Sequence, residues 1–220
     1  VNLPQTTFII FARYPHAGKV KTRLAATIGN DAAAHFYRLC AEHTFRQVAP
    51  FQSRSSLSFY CSEAADLSSV QKWIAPIECP IIAQSGDTLG ERMNNAFDEC
   101  FRNGAAKVVI IGTDAPDISS EILQLSIVAL DTADVVIGPA VDGGYYLLGM
   151  NQLHKDLFDS VPWSTENVLR ITIEKAQSHQ LSVYLLPELR DIDTYNDIIA
   201  WRNFSNTATD SELFAFAQKI

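Results

Sequence analysis

KVVIIGTDAPDISSEILQLSIVALD, residues 107–131, holds one full unit of an alternating fold. Val108–Ile111 is an unbroken apolar run dominated by β-branched residues. It is too short for a helix and suited to a strand buried on both faces. Pro116 and Asp117 then bend the chain. Ser119-Ser120-Glu121 carries the hydroxyl-then-acid pattern of a helix start, and a helical pattern follows to residue 131. A strand feeding directly into a helix predicts a parallel sheet covered on both faces. Asp114 is left at the junction, at the carboxyl end of the strand, where open α/β sheets bind their ligands.

The same alternation extends in both directions. Strands are expected at 7–12, 56–61, 80–84, 134–140, 144–149 and 182–186, where β-branched and aromatic runs are bounded by turn residues. Helical patterns fall at 31–49, 66–74, 88–103, 165–180 and 195–204, with a cap expected at Asn30-Asp31 and a stop at Asn103-Gly104. No repeat, low-complexity tract or linker divides the chain. The polar stretch 205–211 reads as a loop before a last short helix. The expectation is one α/β domain over 1–220: a three-layer α/β/α Rossmann-like fold on a mostly parallel, mixed sheet.

Composition narrows the chemistry. The 220 residues carry a formal charge of −8, which argues against nucleic acid or anionic membrane as a general partner. No apolar run approaches the ~20 residues needed to span a bilayer, and no basic-then-apolar leader is visible. The four cysteines show no CxxC pairing, so free thiols and a cytoplasmic location are expected. GxSxG is absent, as is a GxGxxG after the first strand, against a serine hydrolase and an NAD dehydrogenase.

Against this acidic background, FARYPHAGKVKTRL at 11–24 places Arg13, Lys19, Lys21 and Arg23 directly after the first strand. Pro15 and Gly18 let the backbone turn toward a ligand, so a small anion such as a phosphate is the natural occupant. If Lys21 and Arg23 lie on an extended segment, they can clamp one anion between them. GxxxxGK[ST] is absent, so this is no Walker loop. Asp114 can hold a hard divalent cation or cap the next helix. RDIDTYND, 190–197, follows another strand and can turn Asp193 toward Asp114; Asp193 or Thr194 can equally cap the helix near 195. In GPAVDGGYYLLG, 138–149, Asp142-Gly143-Gly144 suits a hairpin turn, or a backbone lying against a sugar with Asp142 bonding its hydroxyls. QSGDTLGER, 84–92, opens a helix at a strand end, a place for a nucleobase or phosphate. PWST, 162–165, precedes a helix, with Trp163 either core or pocket wall.

Taken in order, FARYPHAGKVKTRL, QSGDTLGERM, IGTDAPDI, GPAVDGGYYLLG, PWST and DIDTYNDI resemble DUF2064, a family of small bacterial proteins of the GT-A, nucleotide-diphospho-sugar transferase type. The resemblance covers about residues 5–200 and extends to 2-phospho-lactate guanylyltransferase and the molybdopterin nucleotidyltransferases. It implies a GT-A-like fold binding a nucleotide with Mg2+ or Mn2+. Asp114 and Asp193 would be metal ligands. Arg13, Gly18, Lys21 and Arg23 would bind phosphates, Gly90 and Arg92 the nucleotide, and Asp142, Gly143 and Gly144 the transferred group. Thr88 and Arg13 stand where the pattern usually has Asp and Lys.

The reaction this resemblance implies is transfer of a sugar from a nucleotide-diphospho-sugar to a small-molecule acceptor. Lys21 and Arg23 would stabilise the departing phosphates and Asp142 would serve as base. Nucleotidylyl transfer from an NTP, releasing pyrophosphate, is the alternative, and suits the basic loop. A nucleotide-binding module without catalysis is the third reading.

Overall fold

A computed structural model describes residues 6–62, 66–75, 77–204 and 211–220. The loop expected at 205–211 lies outside the described residues except for Ser211. Seven strands form one sheet: β1 (Thr6–Ala12), β2 (Ser56–Cys61), β3 (Ile81–Ala83), β4 (Lys107–Ile111), β5 (Val135–Pro139), β6 (Tyr145–Met150) and β7 (Val183–Leu185). Their order is β3-β2-β1-β4-β6-β5-β7. Every pairing is parallel except those of β6, which runs antiparallel to β4 and β5. All seven expected strands are present.

The helices are α1 (Thr22–Ile28), α2 (Asn30–Val48), α3 (Leu67–Trp73), α4 (Leu89–Arg102), α5 (Ser120–Ala129), α6 (Val168–Ser178), α7 (Tyr195–Phe204) and α8 (Ser211–Lys219). Successive residues of β1 alternate between the two sheet faces. Phe8, Ile10 and Ala12 pack with Phe45 and Val48 of α2, Val70 and Trp73 of α3 and Leu123 of α5. Ile9 packs on the other face with Met93 and Phe97 of α4. Each fully buried Phe or Ile contributes about 1.5–3 kcal/mol, and this two-sided burial is why β1 carries no polar alternation.

A third cluster joins Leu24 of α1, Phe36 and Leu39 of α2, Ile192, and Trp201 of α7. It also holds the ligand edge in place. Trp201 Nε1 donates to Asp117 Oδ1 at 2.9 Å, tying α7 to the turn after β4.

Two local expectations meet the structure differently. The segment after Lys21 is not extended: Lys21 takes a left-handed conformation (φ 47, ψ 45) and α1 begins at Thr22, because Leu24 is drawn into the third cluster. The cap expected at Asn30-Asp31 is instead Gly29 (φ 86), which separates α1 from α2 without a side-chain bond. The other two anticipated ends are as expected. Ser119 Oγ accepts from Ile122 N at 3.4 Å, and Gly104 (φ 90) follows the C-cap Asn103 of α4.

Candidate active site

The carboxyl ends of β1, β2 and β4 and the start of β6 open onto a cavity of about 750 Å³. It is lined by Lys21, Arg23, Asp114, Asp142, Asp191 and Asp193, with Gln84, Arg92 and Trp163 toward its sides. Residues from distant parts of the sequence meet here because each lies at the end of a strand or in the turn that follows.

Lys21 is the centre of the arrangement. Its side chain is only 4% exposed, and its ammonium contacts Asp114 Oδ1 and, at 2.8 Å, Asp193 Oδ1. Burial alone would lower the lysine pKa, yet the two carboxylates outweigh it and hold the group well above the ordinary lysine range. Arg23, largely exposed, reaches the other oxygen of Asp193. Burial would raise the Asp193 carboxyl, but Lys21 and Arg23 hold it below the usual carboxylate range. Two of the four loop cations are thus bound to the acids opposite them. Arg13 and Lys19 are exposed.

Backbone hydrogen bonds fix the acids. Ile192 N donates to Asp114 O at 3.0 Å, laying the DID segment beside the end of β4. Ile192 is wholly buried, while Asp191 and Asp193 on either side of it line the cavity. Asp197 Oδ2 accepts from Asp193 N at 3.2 Å and from Thr194 N at 2.8 Å. Asp197 N donates to Thr194 Oγ1 at 3.3 Å. Thr194, rather than Asp193, caps α7.

The 142–144 turn has two jobs in the fold. Asp142 Oδ1 accepts from Gly144 N at 2.9 Å and closes the hairpin between β5 and β6. Gly143 (φ 86) lies so close to the next segment that a Cβ there would meet Glu166 O at 2.1 Å. Gly90, in the first turn of α4, has a similar packing reason, since a Cβ would strike the Trp163 indole at 2.4 Å. Trp163 stacks on Phe158 and forms a cavity wall. Gly18 (φ 76) turns the basic loop beside Asn30. Arg92 Nε donates to Gly86 O at 2.8 Å, which fixes the loop before α4 and leaves the rest of the guanidinium at the cavity.

Tyr37 escaped the sequence reading, and Gln84 and Asp191 lay inside stretches it quoted without receiving a role of their own. Tyr37 OH accepts from Arg13 N at 2.9 Å and shares a 3.0 Å hydrogen bond with Thr113 Oγ1, stitching the ends of β1 and β4 together. Nothing in its helical context marks it, because buried tyrosines on helices are common. Gln84 donates through Nε2 to Tyr60 O at 3.0 Å. A carbonyl can accept only from the amide nitrogen, so Oε1 is turned away from Tyr60. Asp191 is the third: burial, and then Asp114, push its carboxyl up to about 8. Its alternation with the apolar Ile192 was the available signal.

The acids suit a divalent cation only in part. Asp114 and Asp193 both meet one ammonium, so their nearest oxygens lie within about 6 Å of each other at ordinary hydrogen-bond lengths. Among the described residues, no three His, Cys, Asp or Glu side chains gather closely enough to cage a metal alone. Mg2+ and Mn2+ are commonly held by one or two carboxylates and completed by substrate phosphates. These residues fit an ion that arrives with a nucleotide.

Comparison with known proteins agrees with this fold. A crystal structure from Desulfovibrio desulfuricans G20, provisionally described as a nucleotide-diphospho-sugar transferase, superposes with a TM-score of 0.91 at 34% identity. The alignment covers 99% of this chain and 95% of that one. CMP:2-keto-3-deoxy-manno-octonic acid synthetase, solved with CTP, shares the fold at TM-score 0.57 and 9% identity, covering 98% of this chain and 100% of the other. Glucosyl-3-phosphoglycerate synthase from Mycobacterium tuberculosis, solved with Mn2+ and UDP, does so at 0.54 and 11%, covering 86% and 71%. The fold is therefore that of nucleotide-diphospho-sugar transferases and nucleotidyltransferases. Among curated proteins none matches the chain, and among the described residues no helix is long and apolar enough to cross a membrane. The family model for uncharacterised proteins conserved in bacteria, DUF2064, matches residues 47–165, over half of the chain, and it is to this family that the protein belongs.

Proposed function

We propose that the protein is a metal-dependent transferase that binds a nucleotide-diphospho-sugar at the strand-end cavity and passes the sugar to a small-molecule acceptor. One observation carries the reading: Lys21 and Arg23 converge with Asp114 and Asp193 on a cavity large enough for a nucleotide sugar. A cluster of both signs at a sheet's ligand edge suits a diphosphate and its cation together.

In this reading Arg13, Gly18, Lys21 and Arg23 face the phosphates. Gly90 and Arg92 border the nucleotide, and Asp142, Gly143 and Gly144 border the sugar. A divalent cation held at the Asp114 side would neutralise charge on the diphosphate as the sugar–phosphate bond breaks. Arg23 can turn from Asp193 to the departing β-phosphate, since its side chain is 70% exposed. Lys21 keeps its proton throughout and supplies a fixed positive charge. Asp142 retains its second oxygen for an acceptor hydroxyl.

The experiment is a thermal-shift panel of NTPs, NDPs and NDP-sugars with Mg2+, Mn2+ or EDTA. An NDP-sugar with Mn2+ is expected to raise the melting temperature more than the matching NTP. Gly144→Val is expected to remove that shift while sparing the shift given by NDP. Nucleotidylyl transfer is the second reading, favoured by the number of cations in the opening loop; NTPs outperforming every NDP-sugar would select it.

A further inference from the structure

The cavity carboxylates differ in what already holds them. Both oxygens of Asp193 are engaged, one by Lys21 at 2.8 Å and the other by Arg23. Asp142 Oδ1 closes its own turn, and Asp114 Oδ1 meets Lys21. Asp191 stands apart. Its Oδ1 is sealed from solvent and has no hydrogen-bond partner, although the residue lines the same cavity.

A buried carboxylate oxygen without a partner weakens a fold, and most such groups are paired or coordinate a metal. Asp191 is also held firmly. Ile192 is anchored in the core, its N–H bonded to Asp114 O, and Leu189 bridges to Ala140 at the end of β5. The segment therefore sets Asp191 beside Asp114 and keeps it there. Lys21 directs its bonds to Asp114 and Asp193 and makes none to Asp191 Oδ1.

We infer that Asp191, together with Asp114, holds the divalent cation that accompanies the nucleotide, and that Asp193 is a positioning residue that fixes Lys21 and Arg23. This rests on the nucleotide-binding reading above and reassigns the metal role that the family resemblance gives Asp193. Two protein carboxylates suffice, because diphosphate oxygens and water complete the shell of Mg2+ or Mn2+. To serve as a ligand Asp193 would have to share or release a cation at whichever oxygen it used. Asp191 Oδ1 has no bonded cation to give up.

The test follows free Mn2+ by its electron paramagnetic resonance signal. It uses the whole chain and whichever of UDP, GDP, CDP and ADP gives the largest thermal shift. Asp191→Asn is expected to weaken Mn2+ retention by about tenfold or more, the scale on which a metal site responds to loss of supporting groups. Its nucleotide affinity in EDTA should stay within about threefold of the unmodified chain, a criterion set well inside that tenfold response. Asp193→Asn should do the reverse, keeping Mn2+ within about threefold on the same criterion and losing affinity for nucleotide in EDTA. Asp191→Ser, a smaller neutral replacement, must repeat the Asp191→Asn result, with circular dichroism confirming the fold of each variant. Full Mn2+ retention by Asp191→Asn, or equal loss in the Asp191 and Asp193 variants, overturns the assignment. If nucleotide binds but Mn2+ does not, this inference fails while nucleotide binding stands. If no nucleotide binds at all, the functional reading fails first.

Discussion

Gly143→Ala is expected to destabilise the protein by about 2–5 kcal/mol. Two costs combine. A left-handed backbone costs a side-chain-bearing residue about 1–2 kcal/mol, and Gly143 has φ 86. The new methyl would also meet Glu166 O at 2.1 Å, a main-chain atom that cannot swing aside, and overpacking of this kind costs about 1–3 kcal/mol. The turn cannot easily move, because Gly143 O accepts from Leu169 N at 2.9 Å and Gly143 N donates to Ala140 O at 3.0 Å. Gly104→Ala is the control. Gly104 has φ 90 but nothing within 4 Å of a Cβ, so it should show the backbone cost alone. Urea denaturation of both variants measures the difference. Equal losses would mean that the 142–144 turn is not clamped against the segment before α6.

Lys21→Met is expected to cost about 2–3 kcal/mol. Breaking a buried ion pair typically costs about 3–5 kcal/mol. The figure here is lower because Asp114 and Asp193 remain 41% and 36% exposed, and water can partly replace the ammonium. The pH dependence identifies the cause. Asp193 has a depressed carboxyl pKa in the fold, so its contribution is present above the unfolded carboxylate range near 3.8. It is lost as pH falls through the lower folded value. The gap between Lys21→Met and the unmodified chain should therefore be widest from about pH 5 upward and narrow below the unfolded value of 3.8. A loss that does not vary across this range would point to packing against Tyr37, whose ring lies 5.9 Å from the ammonium, rather than to the ion pairs.

The sheet was legible because its strands are short apolar runs separated by helical periodicity, and burial on both faces leaves little else for such runs to be. The ligand edge followed from the same reading, since Asp114, Asp142 and the basic loop each sit where a predicted strand ends. What could not be read was pairing across the chain. Lys21 belongs to a run of cations that looks like solvated surface, and its burial depends on Asp193, 172 residues away. Helix α1 was missed because it has seven residues, of which only Leu24 is buried. That burial is against α2 and α7, a tertiary contact with no local signature. Gly90 reads as a nucleotide-loop glycine in sequence, whereas the structure also gives it a packing reason in Trp163. Within DID, the choice between Asp191 and Asp193 turns on which carboxylate the cations satisfy, which only the folded arrangement reveals.

The central claim is sugar transfer from a nucleotide-diphospho-sugar at the cavity where Lys21, Asp114 and Asp193 meet. Phosphorus nuclear magnetic resonance tests it most directly, by following the purified protein with Mn2+ and the NDP-sugar that gives the largest thermal shift. Water can stand in for the missing acceptor, so the account predicts slow formation of free NDP, abolished by Asp114→Asn and by EDTA. An intact NDP-sugar, alongside an NTP consumed with release of pyrophosphate, would contradict it.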